Sequence, residues 1–185
     1  MNVARAQEQM RHAYFGGAPG MLVSAMVWAA AGAVATGGAF TQAMWTLFVG
    51  GMAIHPLGLL LAKALGRPGG ARGNPLERLA FESTITMILA LPLAWAVSTL
   101  RAEWFFPAML LVIGGRYVVF ASIYGLRLYW ACGAVLVAAA YGAAVLRLAP
   151  APAAFAGSAI EAVFALALFA RMRGQAAPVA DASPA

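Results

Sequence analysis

Apolar residues run for roughly twenty positions at a time along this chain, and short clusters of glycine, proline or arginine close each run. About 20 apolar residues in a helix rising ~1.5 Å per residue cross the hydrocarbon layer of a bilayer. Six runs meet that requirement: 19–36, 43–65, 76–98, 107–125, 128–148 and 152–171. The first and last are short enough to leave little room for tilt. The run boundaries carry physical marks. Pro19, Pro75, Pro107 and Pro152 each stand where a first helical residue is expected, a place where the missing N–H costs nothing. Asn74 before Pro75, with Glu77 three positions on, reads as an N-cap with a variant of the capping box.

The pattern therefore predicts an all-α polytopic integral membrane protein, a six-helix transmembrane bundle over residues 19–173. Residues 2–15 mix polar and apolar positions and predict a short N-terminal surface helix, so that 1–18 forms a surface segment. The Ala/Pro-rich stretch 174–185 predicts a disordered tail. Ala33-Val-Ala35 has the look of a signal-peptidase site, but the region before it is long and is broken by Gly16-Gly-Ala-Pro-Gly20. It is expected to remain as an uncleaved first span.

Composition agrees with this picture. The chain has 185 residues, of which 63% are hydrophobic and 10% charged, against about 25% charged in soluble domains. The net charge of +6 would suggest nucleic acid, but the charges lie in short loops beside apolar runs, which argues against it. With the N-terminus inside, inner segments hold Arg5, Arg11, Lys63, Arg67, Arg72, Arg78, Arg127, Arg171 and Arg173, and outer loops hold only Arg101 and Arg147. The positive-inside rule then places both termini in the cytoplasm, and the even number of spans agrees. The basic loop 66–75 reads as positive-inside topology, with contact to anionic lipid headgroups as the alternative. It lacks the Gly-Lys-Ser/Thr ending of a P-loop. Glycine pairs recur, two of them inside spans (Gly50-Gly51 and Gly114-Gly115), as either a parallel internal repeat or close helix packing. Trp45, Trp104 and Trp130 fit an interfacial belt, whereas Trp28 and Trp95 are expected to pack inside.

Four ionisable residues lie within the runs: His55, Glu82, Arg116 and Glu161. Such residues are costly in lipid and usually face the bundle interior. At the helical rise, Arg116 and Glu161 each lie roughly 14 Å below the outer surface, so they are expected to pair at the midplane. His55, about 18 Å from the outer edge, and Glu82, about 9 Å from the inner edge, are expected to meet in the inner half. Gly157, Ser158, Glu161 and Ala165 share one face of their helix, and Gly51, His55, Gly58 and Ala62 share one of theirs. Small residues beside a polar one mark a helix interface or a lined cavity. Plainer readings stand beside these. Arg116 and Glu161 could form a structural ion pair, Glu82 could pair locally with Arg78 one turn earlier, and His55 could cap the kink at Pro56.

Enzyme chemistry is poorly supported. Zinc motifs, nucleophile-elbow serines, nucleotide loops and haem-attachment motifs are missing, and Cys132 is the sole cysteine. No cofactor or metal is expected.

Tyr14-Phe-Gly-Gly-Ala-Pro-Gly20, Gly50-Gly-Met-Ala-Ile-His-Pro56, Phe106-Pro107, Gly114-Gly-Arg-Tyr117 and Tyr124-Gly-Leu-Arg127 together resemble a family of small bacterial integral membrane proteins of unknown function, over roughly residues 10–150. The resemblance implies several spans and a bacterial inner membrane, and it implies no activity. The leading expectation is a transporter-like or ligand-binding membrane protein with Arg116, Glu161, His55 and Glu82 as its polar site. A membrane enzyme acting on lipid and a purely structural or assembly protein are the alternatives. The expected partners are the bilayer, with anionic headgroups at the cytoplasmic face, and a small molecule or ion. A homo-oligomer remains open.

Overall fold

A computed structural model describes residues 2–173, and the regular elements among them are all helical. Helix α1 (Val3–Tyr14) leads through a 3-10 turn (Phe15–Gly17) into α2 (Ala18–Thr36). Then come α3 (Phe40–Ala64), α4 (Pro75–Leu100), a second 3-10 turn (Ala102–Trp104), α5 (Phe105–Tyr124), α6 (Arg127–Val145) and α7 (Pro150–Arg173). Six helices are long and apolar enough to cross a membrane, with α1 joined to the first of them. The expected tail from residue 174 lies outside the described residues.

The helix starts follow the expected chemistry with small shifts. Pro75 opens α4, and the Asn74 side chain accepts from Leu76 N at 3.0 Å. Pro19 is the second residue of α2, and Pro107 and Pro152 are third in α5 and α7. All remain in the first turn, where N–H groups have no partner within the helix. Glu77 departs from the capping box. Its carboxylate accepts from Ala71 N at 2.5 Å and from the Tyr14 hydroxyl at 2.7 Å, tying the 66–75 loop to α1. Burial, and then this bond to Glu77, push the Tyr14 phenol well above its ordinary value.

In lipid, helices associate by close packing and not by expelling water. The contacts run accordingly through small residues. Helix α2 packs between α3 and α7, while α5 packs on α6 and α4, and α7 joins the two groups through α6 and α5. A Cβ on Gly58 of α3 would stand 2.9 Å from the Gly20 backbone of α2, and one on Gly114 of α5 would stand 3.1 Å from the Gly133 carbonyl of α6. The two glycine pairs behave alike. Gly50 lies against Val27 and Gly114 against α6, while Gly51 and Gly115 have open space beside them. Helix packing therefore accounts for the first glycine of each pair.

Helices α3 and α4 occupy the flanks and turn Met52, Leu60, Leu89 and Leu93 outward. The interior is built on Trp28, Phe105, Phe106, Leu110, Leu136 and Leu168. Trp45 and Trp130 are exposed and Trp28 is buried, as their positions suggested. Trp95 was expected inside but is exposed, because Ala94 and Ser98 take the inward positions of that turn. The surface helix α1 lies across the bundle end with Ala6, Met10 and Ala13 buried, four and three residues apart on one face.

Gly58→Ala must push against backbone, so it is expected to lower the melting temperature in detergent, with a loss of about 1–3 kcal/mol. Gly51→Ala meets open space and is expected to be neutral or to stabilise by up to ~1 kcal/mol through helix propensity. Equal effects would refute the assignment of the α2–α3 contact.

Candidate functional site

Glu161 is carried on the small-residue face of α7. Gly157, one turn earlier, lets that helix approach Trp28 and Leu110, whose side-chain atoms would stand 2.8–3.0 Å from an added Cβ. The Ser158 hydroxyl donates to the Ala25 carbonyl of α2 at 2.8 Å and fixes the same contact. Glu161 thereby becomes fully buried, at 0% exposure. Its Oε1 accepts from the Tyr117 hydroxyl of α5 at 2.8 Å. Ser24 of α2 is close enough to interact with the carboxyl, yet Oε2 has no hydrogen-bond partner. A carboxyl group offers several acceptor positions, and among the described residues only one of its two oxygens accepts a hydrogen bond of good geometry.

An aromatic column continues from Tyr117 toward the α1 end of the bundle. The Tyr117 ring lies 5.7 Å from that of Tyr129, which stacks on Tyr124 at 5.4 Å and 20°. Phe120 packs edge-on against Tyr117, Tyr124 and Tyr129. The Tyr129 hydroxyl donates to the Gly16 carbonyl at 2.7 Å. Cys132, also fully buried, lies within electrostatic reach of both Tyr117 and Glu161.

The expected Arg116–Glu161 pair does not form. Arg116 turns to the other flank of α5, toward α4. Its Nη2 donates to Thr84 Oγ1 at 2.9 Å, its Nη1 approaches Met87 Sδ at 3.5 Å, and its guanidinium lies 4.9 Å from the Phe120 ring centre. Nε is buried without a partner. The reason is angular. Neighbouring helix residues point about 100° apart, so only one of positions 116 and 117 can face α7, and Tyr117 takes that place. Depth was matched correctly, and Glu161 remains within electrostatic reach of the arginine, but azimuth separates them.

The expected His55–Glu82 contact is also overturned. Glu82 accepts from Arg78 Nε at 2.8 Å in a largely exposed i,i+4 pair. His55 faces outward from α3. The buried stripe of α3 centres on Leu47 and Gly58, and His55 stands at its edge, about 60° to one side of Gly58 and about 20° from Met44 and Ala62 at ~100° per residue. Neither residue joins a polar site with Arg116 or Glu161.

Tyr117, Ser24, Thr84 and Tyr129 were not anticipated. A signal existed for some of them: Tyr117, Phe120 and Tyr124 recur at spacings of three and four in α5, one face of a helix. Thr84 carried none, because a lone threonine in an apolar run does not announce its partner. Among the described residues no group of three or more His, Cys, Asp or Glu side chains could hold a metal ion.

The sequence model of a family of unknown function, DUF7010, matches residues 3–171. No curated protein and no solved structure matches the chain.

Two double-mutant cycles test the geometry, with melting in detergent as the readout. Thr84→Val is expected to cost about 1.5–3 kcal/mol, as for a hydrogen bond to a charged group, and to cost much less in an Arg116→Met background. Tyr117→Phe strands the carboxyl and is expected to cost about 1–3 kcal/mol. Combining it with Glu161→Met removes both polar groups and should recover most of that loss. Additive losses in either cycle would remove the contact concerned.

Proposed function

The chain belongs to that family of unknown function, and we propose that it is a small membrane protein of transporter or ligand-binding type that accepts a proton or a small cation at Glu161. The observation carrying this reading is a carboxyl group buried midway along a spanning helix, with a tyrosine donor at one oxygen, Ser24 close by, no hydrogen-bond partner at the other oxygen and no basic side chain in contact among the described residues. Acids within a membrane are costly, and they commonly mark ion pathways and proton relays. A cation at the free oxygen would supply the missing partner, and Tyr117 would position the carboxyl to receive it. Arg116 would provide countercharge at a distance while the site is empty, without occupying it.

The wider setting belongs to the same proposal. The protein would sit in a bacterial inner membrane with both termini in the cytoplasm, and its basic loop 66–75 would meet anionic headgroups. A second reading, a packing role for Glu161 in a structural or assembly protein, is favoured by the complete burial of the carboxyl.

Topology reporters placed after Gly70 and after Arg173 are expected to read cytoplasmic, and one in the 36–42 loop periplasmic; a periplasmic signal at Gly70 would reverse the map. The functional test is reconstitution into liposomes holding a pH-sensitive or a sodium-sensitive dye, with a potassium diffusion potential as the driving force. Uptake is expected for wild type, and Glu161→Gln should reduce it at least about tenfold, as for removal of an essential binding group. Equal uptake of both ions by wild type and Glu161→Gln would discard this reading and leave the packing role.

A further inference from the structure

The elbow between α1 and α2 is a run of left-handed backbone. Phe15, Gly16 and Gly17 have φ of 53°, 63° and 85°, three left-handed residues in succession. Phe15 adopts that region without being glycine, at a cost of order 1 kcal/mol. It is held there by the Phe169 ring at 5.4 Å and by the Arg67 guanidinium at 4.6 Å. The elbow rests on the foot of the aromatic column. A Cβ on Gly17 would collide with the Tyr129 hydroxyl and stand 3.0 Å from the Tyr124 ring, and Tyr129 bonds the Gly16 carbonyl.

Helix α1 then runs as a strap across the end of the bundle. Gln7 donates to the Ser122 carbonyl at 2.8 Å and Arg11 to the Tyr124 carbonyl at 2.7 Å, closing backbone acceptors in the last turn of α5. Asn74 donates to the Ala6 carbonyl at 2.8 Å, and Gly69 N to the Ala13 carbonyl at 3.0 Å. These bonds join separate elements at one end of the bundle, around the buried face of Ala6, Met10 and Ala13. A terminal segment whose polar bonds lie at the rim of the bundle can open locally without unfolding the core beneath the other helices.

We propose that α1 and its elbow form a gate over the route from this end of the bundle to Glu161, with the Tyr129–Gly16 hydrogen bond and the Arg11–Tyr124 bond as its latch. Closed, the elbow seats on Tyr124 and Tyr129 and seals the column that ends at Tyr117 and Glu161. Opening turns the left-handed elbow, lifts α1 from the end of α5 and frees Tyr129 to move. The proposal rests on Glu161 being a site that a ligand must reach, and it adds the means of controlling that access.

Cys132 supplies a native reporter. It is the sole cysteine, it is fully buried, and it lies within electrostatic reach of Tyr117 and Glu161, about 8 Å along α6 from the α1 end at ~1.5 Å per residue. Alkylation would be followed by mass spectrometry in membrane vesicles of both orientations, with a charged, membrane-impermeant maleimide. Wild type is expected to label slowly. Tyr129→Phe keeps the ring and removes the latch, Arg11→Gln removes the second bond, and Gly17→Ala wedges the elbow away. Each is expected to speed labelling about tenfold, or ~1.4 kcal/mol of closed-state stability, and only in vesicles exposing the α1 side. Folded variants that label at the wild-type rate, or that gain labelling from the opposite side, would overturn the gate. Melting in detergent establishes folding, and any one folded variant suffices. The ion-uptake assay separates the two ideas. Faster labelling without Glu161-dependent uptake retains the gate and removes the binding role, and Glu161-dependent uptake with unchanged labelling does the reverse.

Discussion

Close approach of α2 to its two neighbours is the constraint on which the rest of the molecule depends. Lipid tails are as apolar as leucine, so helices in a membrane gain little from burying large side chains against each other. They gain from contacts that lipid cannot match. Gly58 against Gly20, Gly32 against Phe155 and Gly157 against Trp28 are such contacts. The Ser158–Ala25 hydrogen bond adds direction to the last of them. Because α7 is drawn in at Gly157, the next turn brings Glu161 into the interior at the level of Tyr117. A bulky residue at 157 would move the carboxyl, and the site would not assemble.

The two interior charged residues are accommodated differently. Arg116 spreads its charge over a hydroxyl, a sulfur and an aromatic face, each individually weak, with the cation–π contact worth roughly 0.5–2 kcal/mol. Glu161 accepts from Tyr117, has Ser24 close beside it, and keeps one oxygen without a hydrogen-bond partner and without a neutralising contact among the described residues. An ion pair between them would have satisfied both groups at once and would have suggested a fixed structural brace. Their separation leaves the acid with unused capacity in the interior, which distinguishes a place that can receive something from one that is already complete.

The α1 strap ties this interior to one end of the bundle. It supplies donors to the last carbonyls of α5 and rests on Tyr129 through the elbow. A rearrangement at the elbow therefore acts on the same tyrosines that lead to Glu161. Ring packing transmits such a shift because a close-packed column cannot absorb it gradually.

The sequence by itself determined the number and approximate positions of the long apolar helices, because each depends on a local quantity: apolar run length, proline position, or a cap residue such as Asn74; the last helix, expected to be short, runs for 24 residues. It also determined that Arg116 and Glu161 lie at the same depth, since rise per residue is fixed. It did not determine which way they point. His55 lies about 60° from the middle of the buried stripe of α3 and faces outward, Trp95 turned outward, and Arg116 went to Thr84 instead of Glu161. Facing is set by which helices pack together and at what rotation, and the contacts that decide this, Gly58 on Gly20 or Gly157 on Trp28, join residues far apart in the chain. Only the tertiary structure could show Tyr117 as the partner of Glu161, because a helix fixes the spacing of its side chains while its neighbours decide what each one meets.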